Sequence, residues 1–535
     1  MTKISDLTEA TSVSASDTLL LSVGGVDKKV PISSLEAYIA ETYSRPGDWL
    51  EMPVDAANKM SILIAVWPDD TLNYYGLNMT ITGGYTVDWG DGTAPEAVAS
   101  GVQANHNYTY ADGDLAGTEC SRGYKQAIIV ITPTAAGAFT TVSFAVKNAS
   151  LAALETLGHS FLDMQLNIPS CTTLTIRSST VAAYALERVN FTGLGAITSA
   201  ASLFSICYGL QEVTFPSGSL AAVTTIASMF QLCINLRSVT FPEGSLASVT
   251  TLSSTFNGCS LLKEVSFPAG SLGAVTTMAD AFASCVELRS LTFPAGSLDA
   301  TLTNITGAFA NCQSIESITF PSGSLSAVTS LASTFQNCYN LPSFSFPSGS
   351  LASVTSIASV FVNCRSMDTI TFPTGSLGSC TNMATAFSGC TLLTSISFPA
   401  SSLATCTSIN STFNGCSLLT SVTFPTGAFA GALDMSLAFI NCGQLQSITF
   451  PTGWAPSGAH TFSVTFSGCS QLGNIDNAAF KESFSIASCH FSATALNEIY
   501  TALPTATKTI TVSSNYGTTG DDPTIATAKN WTVTG

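Results

Sequence analysis

Charge is scarce in this chain. Asp, Glu, Lys and Arg make up 10% of the 535 residues, with 17 basic against 34 acidic side chains and a net charge of −17. So few cations cannot neutralise a phosphate backbone, and the acidic excess repels nucleic acid and anionic membranes alike. Histidine is scarcer still. His106, His159, His460 and His490 are spread over three segments, none at metal-ligand spacing with another His or with a C-x-x-C pair. Cys489 and His490 are adjacent, but neighbours on a strand point to opposite faces, which argues against joint chelation. Mean hydropathy is positive (+0.37), yet no apolar run reaches the 18 or so residues of a membrane-spanning helix. No G-x-S-x-G elbow, phosphate-binding Gly loop or repeated acidic pair occurs. We therefore expect no enzyme, no metal, no cofactor, no nucleic acid and no membrane insertion. The opening residues lack an apolar core and cleavage site, so no secretory signal is expected.

What the chain does contain is repetition. Phe-Pro recurs at Phe215, Phe241, Phe267, Phe293, Phe320, Phe346, Phe372, Phe398, Phe424 and Phe450, every 26 residues with one gap of 27. A fixed period of this size describes a solenoid, whose units bury their apolar faces only by stacking. In the coil Leu236–Leu246, Val239 and Phe241 alternate with Thr240, so a short strand points its apolar residues inward. Pro242 ends that strand and Gly244 allows the turn after it. Phe256 and Cys259, three apart, fit a short helical turn facing the core. Cys207, Cys233, Cys259, Cys285, Cys312, Cys338, Cys364, Cys390, Cys416 and Cys442 keep the same register. Side chains stacked in register point the same way, whereas a disulfide needs Cβ vectors that face each other. Cys380 and Cys406 also stand where other coils have Val. The ladder therefore reads as reduced thiols used as small buried hydrophobes.

The segments "AFASCVELRSLTFP" and "AFSGCTLLTSISFP" resemble the BspA-like leucine-rich repeats of bacterial surface antigens. The resemblance covers about half the chain. It implies a leucine-rich-repeat solenoid of the kind found on cell surfaces and in viral fibres, and no chemistry.

The segments flanking the repeats differ. Residues 1–45 read as a strand over 18–23, a Gly24-Gly25 turn, a strand over 28–32 and a helix opening after Ser34. The residues Ile4, Leu7, Leu19, Leu20, Gly24, Gly25, Lys28, Lys29 and Val30 resemble the attachment segment of bacteriophage fibre and virion-appendage proteins. That resemblance implies docking on a portal, capsid or baseplate component, in a particle assembled in the host cytoplasm. Residues 46–146 carry strand-like runs separated by turns, which suggests an antiparallel sandwich. "VDWGDGT" (87–93) followed by His106-Asn107-Tyr108 resembles a PKD-type immunoglobulin-like domain, implying a buried Trp89 and a turn capped by Asp91. Asp88 and Asp91 alone are a thin ligand set for Ca²⁺. Residues 147–190 read as degenerate capping repeats, 191–475 as the solenoid and 476–535 as the C-terminal cap, with a helix from Ala493 to Leu503 ended by Pro504.

The expected fold is thus mainly β: an anchor, a sandwich, then a solenoid of 26-residue repeats. The remaining candidate surface is the outward strand positions, among them Arg237, Thr240, Lys263, Arg289, Thr292, Glu316, Thr319, Asp368 and Thr371. One outward column is Ser or Thr throughout, which can stabilise the sheet by cross-strand pairing or make weak multivalent contact with a receptor or glycan. By analogy with fibres the chain is expected to be a homotrimer on a virion, adhering to a bacterial surface or decorating the particle. A bacterial cell-surface adhesin is the alternative.

Overall fold

The computed structural model describes the backbone of residues 18–23 and 26–31, and residues 44–535 except 54–55, 57, 135–136, 146–159, 177–182, 299–300, 432, 455–457, 459 and 478. Two compact units make up the chain, Met1–Trp49 and Leu50–Gly535. In the first, strands β1 (Thr18–Val23) and β2 (Val26–Pro31) pair antiparallel, Thr18 opposite Pro31 and Val23 opposite Val26. The second strand thus begins two residues before the expected Lys28. Ile4, Leu7, Gly24, Gly25 and the expected helix lie outside the described residues, and Leu19, Leu20, Lys28, Lys29 and Val30 are described in backbone only.

The second unit opens with antiparallel strands cut by Gly-rich turns. They are β3 (Met60–Val66), β4 (Tyr74–Ile81), β5 (Tyr85–Asp88), β6 (Glu96–Val98), β7 (Gln103–Asn107), β8 (Lys125–Pro133) and β9 (Phe139–Ser143). Strand β3 is buried along its whole length, as a continuous apolar run requires. Two sheets face each other through aromatic pairs, Tyr75 with Phe161 at 5.5 Å and Tyr85 with Phe139 at 6.4 Å.

Both sheets gain strands from the C-terminal side of β9. Strand β10 (Phe161–Ile168) pairs antiparallel with β3 and parallel with β12 (Arg188–Leu194), which pairs parallel with β13 (Glu212–Thr214). Strand β11 (Thr173–Thr175) adds in parallel to β9. One seven-stranded sheet, β13-β12-β10-β3-β8-β5-β6, therefore runs unbroken from the sandwich into the first coils. The sandwich covers the edge that the parallel stack would otherwise leave open.

From Glu212 each coil contributes one three-residue strand. Seven of them, from Ser238–Thr240 to Ser395–Ser397, run exposed–inward–exposed along the chain. The turn after each strand is set by its sequence. Ser245 N–H donates to the Pro242 carbonyl at 3.2 Å, and Gly244, at φ +76°, takes the third turn position that favours glycine.

The expected helical turn at Phe256–Cys259 is not helical. Residues 253–258 form successive turns, with Thr255 N–H donating to Leu252 O and Cys259 N–H to Phe256 O. Ser254 and Gly258, at φ +55° and +78°, hold the left-handed positions. The alternate N–H groups of Leu252, Ser254, Phe256 and Gly258 donate to Thr277, Ala279, Ala281 and Ala283 of the next coil. A helix would keep all these donors inside the coil, so the bonds that stack the solenoid exclude it. Phe256 and Cys259 do face the core, both fully buried.

Two columns of phenyl rings fill the interior. In one, Phe204, Phe230, Phe256, Phe282 and Phe309 stack at 5.2–5.4 Å with interplanar angles of 15° or less. The strand Ser238–Thr240 is β14, those from Glu264–Ser266 to Ser421–Thr423 are β15 to β21, and β22 (Leu433–Asp434) and β23 (Ser447–Thr449) follow. After Phe450 the period loosens through β24 (His460–Thr461) and β25 (Asn474–Asp476). A three-stranded parallel sheet, β26 (Phe484–Ser485), β27 (Lys508–Thr511) and β28 (Trp531–Thr534), ends the unit. Helix α1 (Ala493–Ala502) begins where the sequence placed it: the Ser492 hydroxyl accepts from Ala495 N–H at 3.1 Å, and the helix buries Leu496, Ile499 and Tyr500.

Candidate functional site

Because strand residues alternate, the solenoid turns one row of side chains per coil outward on either side of each inward residue. Of the nine candidate positions, Arg237 is half-buried and Thr240, Lys263, Arg289, Thr292, Glu316, Thr319, Asp368 and Thr371 are exposed. Arg237, Lys263 and Arg289 take the same position in three successive coils, tied by backbone bonds such as Lys263 N–H to Arg237 O at 2.8 Å. Glu316 follows them and meets Arg289 at 3.5 Å. Both partners of that pair are well exposed, so it contributes little to stability. Asp368 takes the same position two coils beyond Glu316. The hydroxyl column Thr240, Ser266, Thr292, Thr319, Ser345, Thr371 is exposed throughout.

Sequence reasoning overlooked the column just after the core cysteine. There Tyr208 packs at a tilt against Tyr184, which follows Ala183, with ring centroids 5.0 Å apart. Ile234 follows in the column, and further along Arg365 lies over Tyr339 at 4.8 Å. The signal was available: this position, one past each Cys, is where the otherwise regular repeat varies most. A second hydroxyl ladder lies elsewhere on the coil. Thr224, Thr250 and Thr276 each donate a hydroxyl hydrogen bond to the carbonyl of the Thr one coil back at 3.1 Å.

The cysteine ladder makes its own bonds. Cys233, Cys259, Cys285 and Cys312 donate through Sγ–H to the carbonyls of Phe204, Phe230, Phe256 and Phe282 at 3.0–3.2 Å, and the series continues through Cys442. All sixteen cysteines are buried free thiols. Burial pushes the Cys312 and Cys390 thiols up to about 12, which suppresses the thiolate that metal binding or redox chemistry requires.

In the sandwich, Trp89 is buried and Asp91 holds the turn, its Oδ1 accepting from Thr93 N–H at 3.1 Å and from the Thr93 hydroxyl at 2.6 Å. Asp91 Oδ2 lies 2.6 Å from His106 Nε2, and the imidazole stacks on Trp89 at 4.8 Å. Both oxygens of Asp91 are therefore engaged by the protein, while Asp88 Oδ1 accepts from Gly90 N–H. Among the described residues no three His, Cys, Asp or Glu side chains gather as a metal site. At the junction, Asp163, Arg188 and Glu212 stand side by side on three strands. Arg188 Nε donates to the fully buried Asp163 at 2.9 Å, and burial raises the Glu212 carboxyl above its ordinary range.

Residues 174–305, 280–403, 332–463 and 381–519 match the family described as BspA type leucine rich repeat region, with six copies. The chain belongs to this family. Among solved structures it is similar to a leucine-rich repeat protein from Bacteroides ovatus at 20% identity, covering 70% of this chain and 80% of that one, with a TM-score of 0.41. It is also similar to a leucine rich cell surface protein from Faecalibacterium prausnitzii at 22% identity, 62% and 92% coverage and a TM-score of 0.28. A third is the pneumococcal vaccine antigen PcpA at 15% identity, 73% and 84% coverage and a TM-score of 0.32. No curated protein matches the chain.

Proposed function

We propose that this protein is a non-enzymatic appendage of a bacteriophage particle, a tail or head fibre that presents its solenoid for adhesion to a bacterial surface or for decoration. The observation that carries this reading is the exposed outer face, where coil after coil repeats the same pair of outward positions around one buried residue. A repeated, nearly uncharged surface suits weak contacts multiplied over many copies on one particle. In this reading the first 45 residues, with their β1–β2 hairpin, attach the chain to a portal, capsid or baseplate component. The PKD-like sandwich joins that anchor to the solenoid, three chains associate, and the outward positions around Arg237, Lys263 and Arg289 meet a receptor or glycan. An antibody against the solenoid should decorate purified virions, and deletion of residues 1–45 should remove the protein from them. Unlabelled particles, or incorporation that survives the deletion, would overturn the reading.

A second reading, a bacterial cell-surface adhesin, draws on the family match itself, which spans 174–519 and leaves out the hairpin through which the first reading attaches the chain. Surface display on intact cells after removal of residues 1–45 would favour it.

A further inference from the structure

Where the 26-residue period breaks, an imidazole enters the apolar interior. His460 opens β24 and pairs with Leu433 of β22 in parallel register. It is 4% exposed. Its Nδ1 accepts the N–H of Leu433 at 3.1 Å, which fixes the tautomer: an accepting Nδ1 carries no proton, so the neutral ring holds its proton on Nε2. Nε2 is buried and has no hydrogen-bond partner among the described residues. The ring packs against Trp454 at 5.5 Å and Phe462 at 6.1 Å. From Phe462 the aromatic contacts run on through Phe480 and Phe484 to Trp531 of the C-terminal sheet. These contacts form a seam between the last coils and the cap.

The charged groups acting on the ring are Lys481 and Glu482, and Glu482 pairs with Lys508. Asp434, next to Leu433, has its oxygens occupied by Thr461, Ser436 and Asn410. Neither carboxylate bonds the imidazole. Protonation therefore has one site, Nδ1, and there the new N–H meets the N–H of Leu433, donor against donor. It also leaves a buried cation without an acceptor.

We propose that His460 is an acid-sensitive latch: protonation at Nδ1 parts β22 from β24 and loosens the aromatic seam to the C-terminal cap, leaving the earlier coils intact. Burial lowers the basicity of the folded imidazole, so the stabilisation is complete above the unfolded value of about 6.5 and declines as pH falls through it. Hydrogen exchange of the full chain at pH 7.5 and pH 5.5, corrected for intrinsic rates, reads the latch directly. Peptides over 433–485 should lose protection on the order of tenfold at the lower pH, while peptides over 236–410 stay unchanged. His460→Asn places a non-titrating carbonyl where Nδ1 accepts, and should abolish the response. Equal protection of wild-type 433–485 at the two pH values would overturn the proposal, a measurement that needs no variant. So would an undiminished acid response in folded His460→Asn.

Discussion

The thiol of Cys259 donates to the carbonyl oxygen of Phe230, one coil back, at 3.0 Å. That carbonyl also accepts the backbone N–H of Cys233 within its own coil, so one oxygen closes a turn and ties two coils together. The side chain must be small and apolar, yet carry a donor, and Cys meets all three demands. Cys259→Ala removes the donor and leaves a cavity about the size of the sulfur. We expect it to destabilise the solenoid by about 1–2 kcal/mol, measured by chemical denaturation. Cys259→Ser retains a donor and should behave differently from alanine. In the folded protein a thiol-specific reagent at pH 8 should leave the ladder unmodified, and denaturant should expose it.

The turn after each strand gives a second, graded test. Gly244 sits at φ +76° with open space where a Cβ would go, whereas Ser401 occupies the equivalent turn at φ +61°. Gly244→Ala should therefore cost about 1 kcal/mol of backbone strain, and Ser401→Gly should gain a similar or smaller amount. Gly209 is different in kind. A Cβ there would lie 2.2 Å from the Tyr184 carbonyl oxygen, which belongs to backbone and cannot swing aside. Gly209→Ala should exceed Gly244→Ala severalfold. Thermal melts of the three variants would rank them.

The contrast between these positions shows what a single sequence can disclose. The coil was legible because its period is local and strict: Phe241, Gly244 and Cys259 each recur where the stack requires the same side chain. The turns around Phe256 read as helical in sequence because an i, i+3 pair fits either geometry. Only the bonds to Ala281 and Ala283 of the next coil, invisible within one repeat, decide the matter. The junction was not legible for a related reason. Strand β10 pairs with β3 about a hundred residues earlier, and neither strand carries a mark of the other. Of the candidate surface, alternation discloses Thr240, Thr292, Thr319 and Thr371, which adjoin an inward residue. Arg237, Lys263, Arg289, Glu316 and Asp368 lie two residues before it, outside the strands, where alternation says nothing. His460 gave no signal, because its meaning lies in the bond its Nδ1 accepts from Leu433, 27 residues earlier.

The Asp91–His106 contact ties the turn of the sandwich to its opposite strand. Burial raises the Asp91 carboxyl, but the bonds from Thr93 and His106 outweigh it and hold it below the ordinary carboxylate range. A depressed folded-state value means stability that is present above the unfolded value of about 3.9 and lost as pH falls through the folded one. Asp91→Asn should cost about 1–3 kcal/mol near neutral pH, where a charged acceptor is lost. Below about pH 4 the deficit should shrink as the wild-type carboxyl also protonates. Urea denaturation at several pH values would display this convergence. A deficit that stays constant down to pH 3 would place the cost elsewhere.

The shared sheet predicts how the chain can be cut. A fragment of residues 46–146 keeps β3 to β9 but loses β10, which covers one edge of β3, and β11, which covers one edge of β9. Both strands are then left with unpaired donors and acceptors, and β3 is buried along its whole length and apolar but for Ser61. Such edges associate or fail to fold. A fragment extended to residue 270 restores both pairings and ends inside the repeats. We expect the shorter fragment to be aggregated or unfolded by size-exclusion chromatography and circular dichroism, and the longer one to show native-like β structure. Independent folding of 46–146 as a monomer would mean that the solenoid leans on the sandwich while the sandwich has no need of the solenoid.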